Sequence, residues 1–320
     1  MTIPAVSILI PAFNAEHFVD NAIDSVLEQT FHDWEIIAVD DASVDGTLAR
    51  LEAWQQREPR IRIYRNQVNR GMTQNWNVCL EKAKGDFVIK LDADDVLRPR
   101  AVEIMASALS KPACRAAAVR TLLCDERLEP IGAPPCDAAL MRGGIDPYVD
   151  NDLPTSRWME VAVLGQQPWH SSAIMVPRAW LASSGGFDER FGCASDTELI
   201  LRVLRCDGIV SHSGYVGCYY RNTQNSVSTK YRRSGWLLWE EIAVNLLNFS
   251  QLATPELAPA ARDYRVYLWR RWKRGRSSEE FGRAVPTALR TNVENVLRGT
   301  KTPPLRDRLR VLAGRVAARM

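Results

Sequence analysis

The sequence predicts an α/β fold: a Rossmann-like, mainly parallel sheet flanked by helices, followed by a basic helical C-terminal extension. Three observations predict it. Short apolar runs rich in β-branched residues alternate with stretches of roughly 10 to 15 residues at helical spacing, which is the pattern of βαβ units. Carboxylates crowd the ends of two of those runs. From about Tyr231 the chain is dominated by helical spacing, and it becomes strongly basic.

The elements follow in order. "AVSILI" is the first strand, and "NAEHFVDNAIDSVLEQ" has helical spacing through Phe18, Ile23, Val26 and Leu27. "WEIIAVDD" is the second strand, and the helix after it places Leu48, Leu51 and Trp54 on one face. "IRIY" is the third strand. "GMTQNWNVCLEKAKG" reads as a helix closed by Gly85, and "DFVIKLD" as the fourth strand. "RPRAVEIMASALSK" and "CRAAAVRTLLCD" continue with a further helix and strand. From Glu126 to Arg157 the richness in Pro, Gly and Asp predicts a long irregular connection, a functional loop or lid. The helix-like "SDTELILRVLRC" and the run "GIVSHSGYVGCYYRN" come later. The expected division is a sheet domain over 1–230 and an extension over 231–320.

Composition narrows the class. Hydrophobic residues make up 46% and charged residues 25%, ordinary for a globular chain. No stretch reaches the roughly 18 apolar residues of a spanning helix. The start lacks a basic region and a cleavage site, so it reads as a buried strand and not a signal peptide. Seven scattered cysteines without a C-x-x-C give neither a zinc site nor a disulfide framework, and they fit a cytoplasmic location. From Arg262 onward there are 16 Lys/Arg against 5 Asp/Glu, a balance of +11; the preceding residues carry 25 against 33, a balance of −8. The tail therefore suits something anionic.

The chemistry concentrates in "FVIKLDADDVLRP", where Asp92, Asp94 and Asp95 follow a strand. Carboxylates this close repel, and a cation or a cluster of donors must offset them. A hard divalent metal suits their oxygens and leaves room for phosphate; the plainer alternative is a solvated loop with an aspartate capping the next helix. Ligands on parallel sheets bind beyond the carboxyl ends of the strands. Pro11 and Asn14 end the first strand, Asp40 and Asp41 the second, and the Asp92–Asp95 group the fourth, so three ends converge on one crevice.

"VSILIPAFNAEHFVDNAIDSVLEQTFHDWEIIAVDDASVDGT", "NRGMTQNWN", "AKGDFVIKLDADDVLRP" and "GGFDERF…SDTELILRV" resemble the family 2 glycosyltransferases of the GT-A fold, over roughly residues 4 to 222. The resemblance implies inverting transfer of a sugar from a nucleotide-diphosphate donor to an acceptor hydroxyl, with Mn2+ or Mg2+ as cofactor. It places Phe13 and Pro11 against the nucleobase, with Asn14 beside them. Asp41 would accept from the base's ring N–H, which favours a UDP- or dTDP-sugar. Asp40 either joins that site or caps the following helix, and Ser43 and Asp45 read as caps. Asp94 matches the metal ligand, and Asp92 the carboxylate beside it that meets the metal, ribose or sugar. Asp95 reads as a cap. Asp196 matches the catalytic base, which takes the acceptor's proton; its competing reading, shared with Ser195, is the cap of a helix over 197–205. His170 sits where members lining the acceptor site often carry a histidine, and it reads equally as a core residue.

The chain also departs from the family pattern. Ser195 stands where a glutamate often precedes the base. Trp76 stands where many members have an arginine, whose contact is then lost or supplied by Arg70. Asn222 and Thr223 replace a histidine after "YYR", which leaves the metal to Asp94, the diphosphate and water. These departures keep one alternative open, a catalytically silent nucleotide-sugar binder or assembly partner. A pyrophosphorylase would need a Gly-rich N-terminal loop, and a dehydrogenase G-x-G-x-x-G; both are absent. In the tail, Leu305, Leu309, Leu312 and Val316 form a stripe flanked by arginines. That suits a peripheral helix on anionic lipid at the inner membrane face, or packing on the body or a second subunit. No nucleic-acid reader motif accompanies the charge. The acceptor expected is a saccharide or lipid-linked saccharide of bacterial surface polysaccharide or glycoconjugate synthesis.

Overall fold

A computed structural model describes residues 3–162 and 167–223, together with Leu237, Glu240, Glu241 and Val244. The first half is built as its pattern dictates. Strands β1 (Val6–Ala12), β2 (Trp34–Asp40), β3 (Ile61–Arg65) and β4 (Phe87–Lys90) alternate with helices α1 (Val19–Leu27), α2 (Thr47–Arg57) and α3 (Met72–Lys82). Every residue of β2 is buried, and all but one of β1, as expected of strands covered on both faces. Alternate residues serve alternate layers. Val6, Ile8, Ile10, Ile36, Ala38 and Ile89 pack with α1, Leu51 of α2 and α4 (Ala101–Leu109). Leu9, Ile37, Val39 and Val88 pack with α3 and with elements from the second half of the chain.

These strands run parallel in the order β3-β2-β1-β4, so their carboxyl ends share one edge. The pairing of Ala12 with Asp40, and of Leu9 with Lys90, sets that edge in register. The turn into β4 needs Gly85, since a Cβ there would lie 2.6 Å from the Ser7 nitrogen.

Past β4 the rule of strand, helix, parallel strand stops holding. The short strand β5 (Val96–Leu97) precedes α4, and β6 (Cys114–Cys124) follows it. Strand β9 (Ile174–Pro177) then lies between β4 and β6, antiparallel to both, and β10 (Ile209–Arg221) runs parallel to β6. The sheet is thus mixed rather than mainly parallel over its full width. The segment before β9 is a single 3-10 turn at Ser171–Ala173, not a crossover helix, so the strand enters against the direction of its neighbours.

The connection expected to be irregular over 126–157 is largely ordered. It holds β7 (Pro130–Gly132), α5 (Pro135–Arg142), β8 (Asn151–Pro154) and the start of α6 (Thr155–Ala162). Its Pro and Gly residues mark the ends of short elements, while Ala139, Leu140 and Ile145 are buried in the core. Helices α7 (Arg178–Ser183) and α8 (Ser195–Leu204) complete the described elements. The arginine-flanked stripe at 305–316 lies outside the described residues. Among the described residues no helix is long and apolar enough to cross a membrane. Across the expected boundary at 230, Val244 is buried in the same cluster as α8.

Candidate active site

The edge shared by β1, β2 and β4 carries two groups of polar residues. The first lies at the ends of β1 and β2. The chain turns sharply at Asn14, whose φ is +50°, and at Ala42, whose φ is +59°. Cross-links hold the two turns together: Asn14 N–H donates to Ser43 Oγ (2.9 Å), and Val44 N–H donates to Asn14 Oδ1 (3.0 Å). Ser43 therefore ties two loops and does not cap α2. Asp45 is not the cap either, since that position is Gly46, but it accepts from Thr47 N–H at 3.0 Å. Pro11 ends the buried strand, and beyond it the Phe13 ring is 47% exposed, an apolar plate at the mouth of the crevice.

Asp40 and Asp41 are both buried, and their carboxylates do different work. Asp40 faces Arg65 Nε at 3.3 Å and the Ser43 N–H. Asp41 accepts from Asn66 Nδ2 (2.7 Å), Arg70 N–H (2.9 Å) and Gly71 N–H (3.0 Å). It thereby fixes the loop that leads into α3, and Arg70 takes part through its backbone. A carboxylate has about four lone-pair positions, so about one remains for a ligand.

The second group follows β4. Asp92, Asp94 and Asp95 lie in a tight turn closed by Asp95 N–H to Asp92 O at 3.0 Å. Asp92 Oδ1 accepts from Lys90 Nζ at 2.6 Å. Asp95 is fully buried and accepts from Ser172 Oγ (2.6 Å) and Arg221 N–H (3.1 Å). It does not cap α4, which begins at Ala101 with no side-chain cap; the donors of the 3-10 turn at Ser171–Ala173 and of β10 claim it first. Arg221 also reaches the Asp94 carbonyl at 2.7 Å, so one guanidinium braces the turn from behind.

The charges in this turn are unequal. Burial opposes the charged form of Asp92, but Lys90 and His170 outweigh it and hold the carboxyl below its ordinary range. Burial, reinforced by Asp95 and Asp92, pushes Asp94 up to about 8. Burial and Asp92 push Asp95 up to about 7. The turn is short of positive charge at Asp94. That deficit, met by hard oxygen donors at a crevice edge, fits a divalent cation such as Mg2+ or Mn2+ held by Asp94 with Asp92 beside it. Asp95, His170 and Cys218 also bring ligand atoms within 4.8 Å of one another. That trio suits such an ion less well: the Cys218 thiol is raised well above its ordinary value by burial, and Asp95 is already engaged.

His170 is partly buried and stacks on Tyr220, with ring centroids 4.1 Å apart. Its Nδ1 accepts from Ser172 N–H at 3.3 Å, which leaves Nε2 to carry the ring proton. Burial lowers its pKa to about 4, so the ring is neutral at pH 7. Asp196 sits in the first turn of α8, half-buried, accepting from Thr197 N–H at 2.6 Å. Burial raises its pKa, while Lys90 and His170 act to lower it. Asp196 and Lys90 are the charged groups lining an otherwise mostly apolar cavity of about 20 Å³ with Val88, Ser171 and Phe187, room for one water. Neither Ser195 nor Asp196 is the helix cap; that position is Ala194.

The structure thus gathers Asp92, Asp94, His170 and Asp196 around Lys90, and sets Pro11, Phe13, Asn14, Asp40, Asp41 and Arg70 at the neighbouring strand ends. Sequence reasoning missed Lys90, Ser172, Arg221 and Glu240. For Lys90 a signal existed: a lysine inside an apolar strand is almost never fully buried without a partner.

Residues 7–133 match the family model described as glycosyl transferase family 2. Over 106 residues the chain is 36% identical to the Escherichia coli UDP-Glc:alpha-D-GlcNAc-diphosphoundecaprenol beta-1,3-glucosyltransferase WfgD, covering 33% of this chain and 41% of that protein. The chain spans about a fifth to two fifths of the length of other curated relatives. Among solved structures, S. aureus TarS 1–349 in complex with UDP-GlcNAc is similar with a TM-score of 0.66 and 16% identity, over 91% of this chain and 80% of that one. The mannosyltransferase PcManGT from Pyrobaculum calidifontis, in complex with GDP-Man and Mn2+, aligns with a TM-score of 0.57 and 18% identity, over 99% and 86%. At such identities the likeness is one of fold. Residues 7–133 thus match a family 2 glycosyltransferase domain, and the fold is like that of these glycosyltransferase structures.

Proposed function

We propose that the chain is an inverting glycosyltransferase that moves a sugar from a nucleotide-diphosphate donor to an acceptor hydroxyl in bacterial surface polysaccharide or glycoconjugate synthesis. One observation carries the reading: Asp196, half-buried with a raised pKa, shares its cavity with Lys90, the lysine that pairs with Asp92 beside the acidic turn. In this reading the nucleobase lies on Phe13 with its ring N–H toward the free lone pair of Asp41, which favours UDP- or dTDP-sugars. The sugar and diphosphate then reach the turn at Asp92 and Asp94. A bound Mg2+ or Mn2+ would supply Lewis-acid stabilisation of the departing diphosphate. Asp196 takes the proton of the acceptor hydroxyl as it attacks the face opposite the leaving group, and its raised pKa brings it nearer the range in which a general base works well. Neutral His170 and the ring of Tyr220 form a wall for the acceptor sugar. The basic tail is proposed to hold the protein at the inner face of an anionic membrane, beside a lipid-linked acceptor.

A panel of nucleotide sugars with Mn2+, read by thermal shift, tests the donor assignment. A ligand at about 100 times its Kd adds about 2.7 kcal/mol to the native state. UDP- or dTDP-sugars should raise Tm more than GDP-sugars do. The donor reading fails if no nucleotide sugar shifts Tm in the presence of the metal.

A further inference from the structure

Glu240 lies far along the chain from the acidic turn, yet its carboxylate is closed over the backbone that leads into α8. Oε1 accepts from Gly192 N–H and Oε2 from Ala194 N–H, each at 2.9 Å. Burial raises the Glu240 pKa, and the Cys193 N–H joins the other two amides in acting against that rise. Three consecutive amides around one carboxylate make an anion nest. It lies just before α8, which begins at Ser195, on the side where the helix dipole favours negative charge. Glu240 is only 8% exposed, and helical Val244, one turn on, is fully buried in the cluster that contains Leu199, Ile200 and Val203 of α8. The carboxylate is therefore anchored on both sides.

What it anchors is the segment 192–194, two residues before Asp196. An α-helix ordinarily takes its cap from its own Ser, Thr, Asp or Asn. Here the cap position is Ala194, which has no such group, and Ser195 Oγ finds no hydrogen-bond partner among the described residues. The backbone leading into α8 is thus held from a remote residue, while the Asp196 side chain accepts from Thr197 N–H and lines the cavity with Lys90. We infer that Glu240 is a positioning residue for Asp196, so that a side chain from beyond residue 230 supports the active site. The inference rests on the role proposed above for Asp196. Its physical basis is that an error of about 1 Å in placing a reacting group can cost about 10²-fold in rate.

The test uses the full chain and water as acceptor, following release of nucleoside diphosphate from UDP-glucose, UDP-N-acetylglucosamine and GDP-mannose with Mn2+. In Glu240→Gln the amide can accept from one N–H but turns its NH2 against another. Its kcat should fall about tenfold or more while KM for the donor stays within about twofold. Hydrogen exchange should quicken at the Gly192 to Ala194 amides and stay unchanged over β4. Glu240→Asp keeps the charge and should recover part of kcat. An unchanged kcat in Glu240→Gln overturns the inference, as does a Glu240→Asp no better than the amide. A loss shared by kcat, KM and exchange across the whole molecule also overturns it, because that is general loosening. If Glu240→Gln does not fold, Glu240→Asp decides: reduced kcat at constant KM supports the role, and wild-type kcat removes it. A wild-type chain that turns over no donor overturns the glycosyl-transfer reading and this inference with it, whereas an active wild type beside an equally active Glu240→Gln overturns the inference alone.

Discussion

Lys90 Nζ stands 2.6 Å from Asp92 Oδ1 and 4.2 Å from the centre of the Trp76 ring, and the lysine is only 5% exposed. The ammonium is thus taken from water and repaid by one carboxylate and one aromatic face. The Trp76 ring is part of what makes a lysine tolerable there.

Lys90→Met removes the cation and leaves Asp92 facing the other carboxylates. Breaking a buried pair costs about 3–5 kcal/mol, and the 29% exposure of the Asp92 side chain should bring this to roughly 2 kcal/mol by urea unfolding at pH 7. The sign with pH follows from Asp92, whose folded pKa is depressed. The pair stabilises above the ordinary carboxylate pKa and is lost as pH falls through the folded value. The gap between wild type and Lys90→Met should therefore narrow below about pH 4; a gap that is the same at pH 3 and pH 7 would mean that the pair contributes nothing.

Asp94 carries the opposite sign. Its folded pKa is raised to about 8 by burial and its acidic neighbours, so the native state holds a proton that the unfolded chain has released. Metal-free protein should lose stability as pH rises from about 4 to about 8. Asp94→Asn removes that penalty and should gain roughly 1–2 kcal/mol at pH 8 without metal, while Mn2+-dependent donor binding disappears. For the wild type, Mn2+ affinity should climb over the same pH range, since binding displaces the proton. Calorimetry in two buffers of different ionisation enthalpy reads the released proton directly; its absence would exclude Asp94 as the ligand.

Asp196→Asn separates base from helix start. The amide oxygen can still accept from Thr197 N–H, so α8 should begin as before, with Tm within a few degrees of wild type. Transfer should fall by roughly 10²-fold or more, the scale of a positioned proton transfer, with donor Kd unchanged. A near-normal kcat would assign the proton to another group.

The fold was legible where pattern and physics agree. Apolar strands and helices at 3.6-residue spacing were plain from Val6 to Lys90, because β1, β2 and β3 are each followed by a helix that leads to the next parallel strand. Strand β9 was not, since four residues after a 3-10 turn carry no periodicity. Nor was the order over 126–157, where Pro and Gly punctuate elements too short to show a period. In the site, Asp92, Asp94 and Asp196 were singled out by the family resemblance, and the structure brings all three near Lys90. Ser172 and Glu240 were not, because they act through contacts 80 and 46 residues distant in sequence. Asp95 was read as a cap because local capping is the common use of such an aspartate, and donors from two other elements overrode it.

Asp41 offers the sharpest separation between reading a base and holding a loop. Its carboxylate accepts from Asn66, Arg70 N–H and Gly71 N–H, and Asn66 in turn donates to Asn75 Oδ1 at 3.0 Å. Asp41→Asn puts an NH2 where one of these donors points, so the loop over 66–71 must shift, at a cost of about 1–3 kcal/mol for the buried group left unpaired. Were Asp41 only a reader of the base's ring N–H, the substitution would weaken UDP and leave the loop's hydrogen exchange intact. If loop-holding dominates, exchange at Arg70 and Gly71 should quicken in the free protein, and UDP and GDP should weaken alike. Titrating both nucleotides with Mn2+ against wild type and Asp41→Asn, with exchange measured on the same samples, distinguishes the two. The geometry predicts the second outcome with a residue of the first: faster exchange at both amides, weaker binding of both nucleotides, and a larger loss for UDP, because the one lone pair not taken by the loop is the one left for the base.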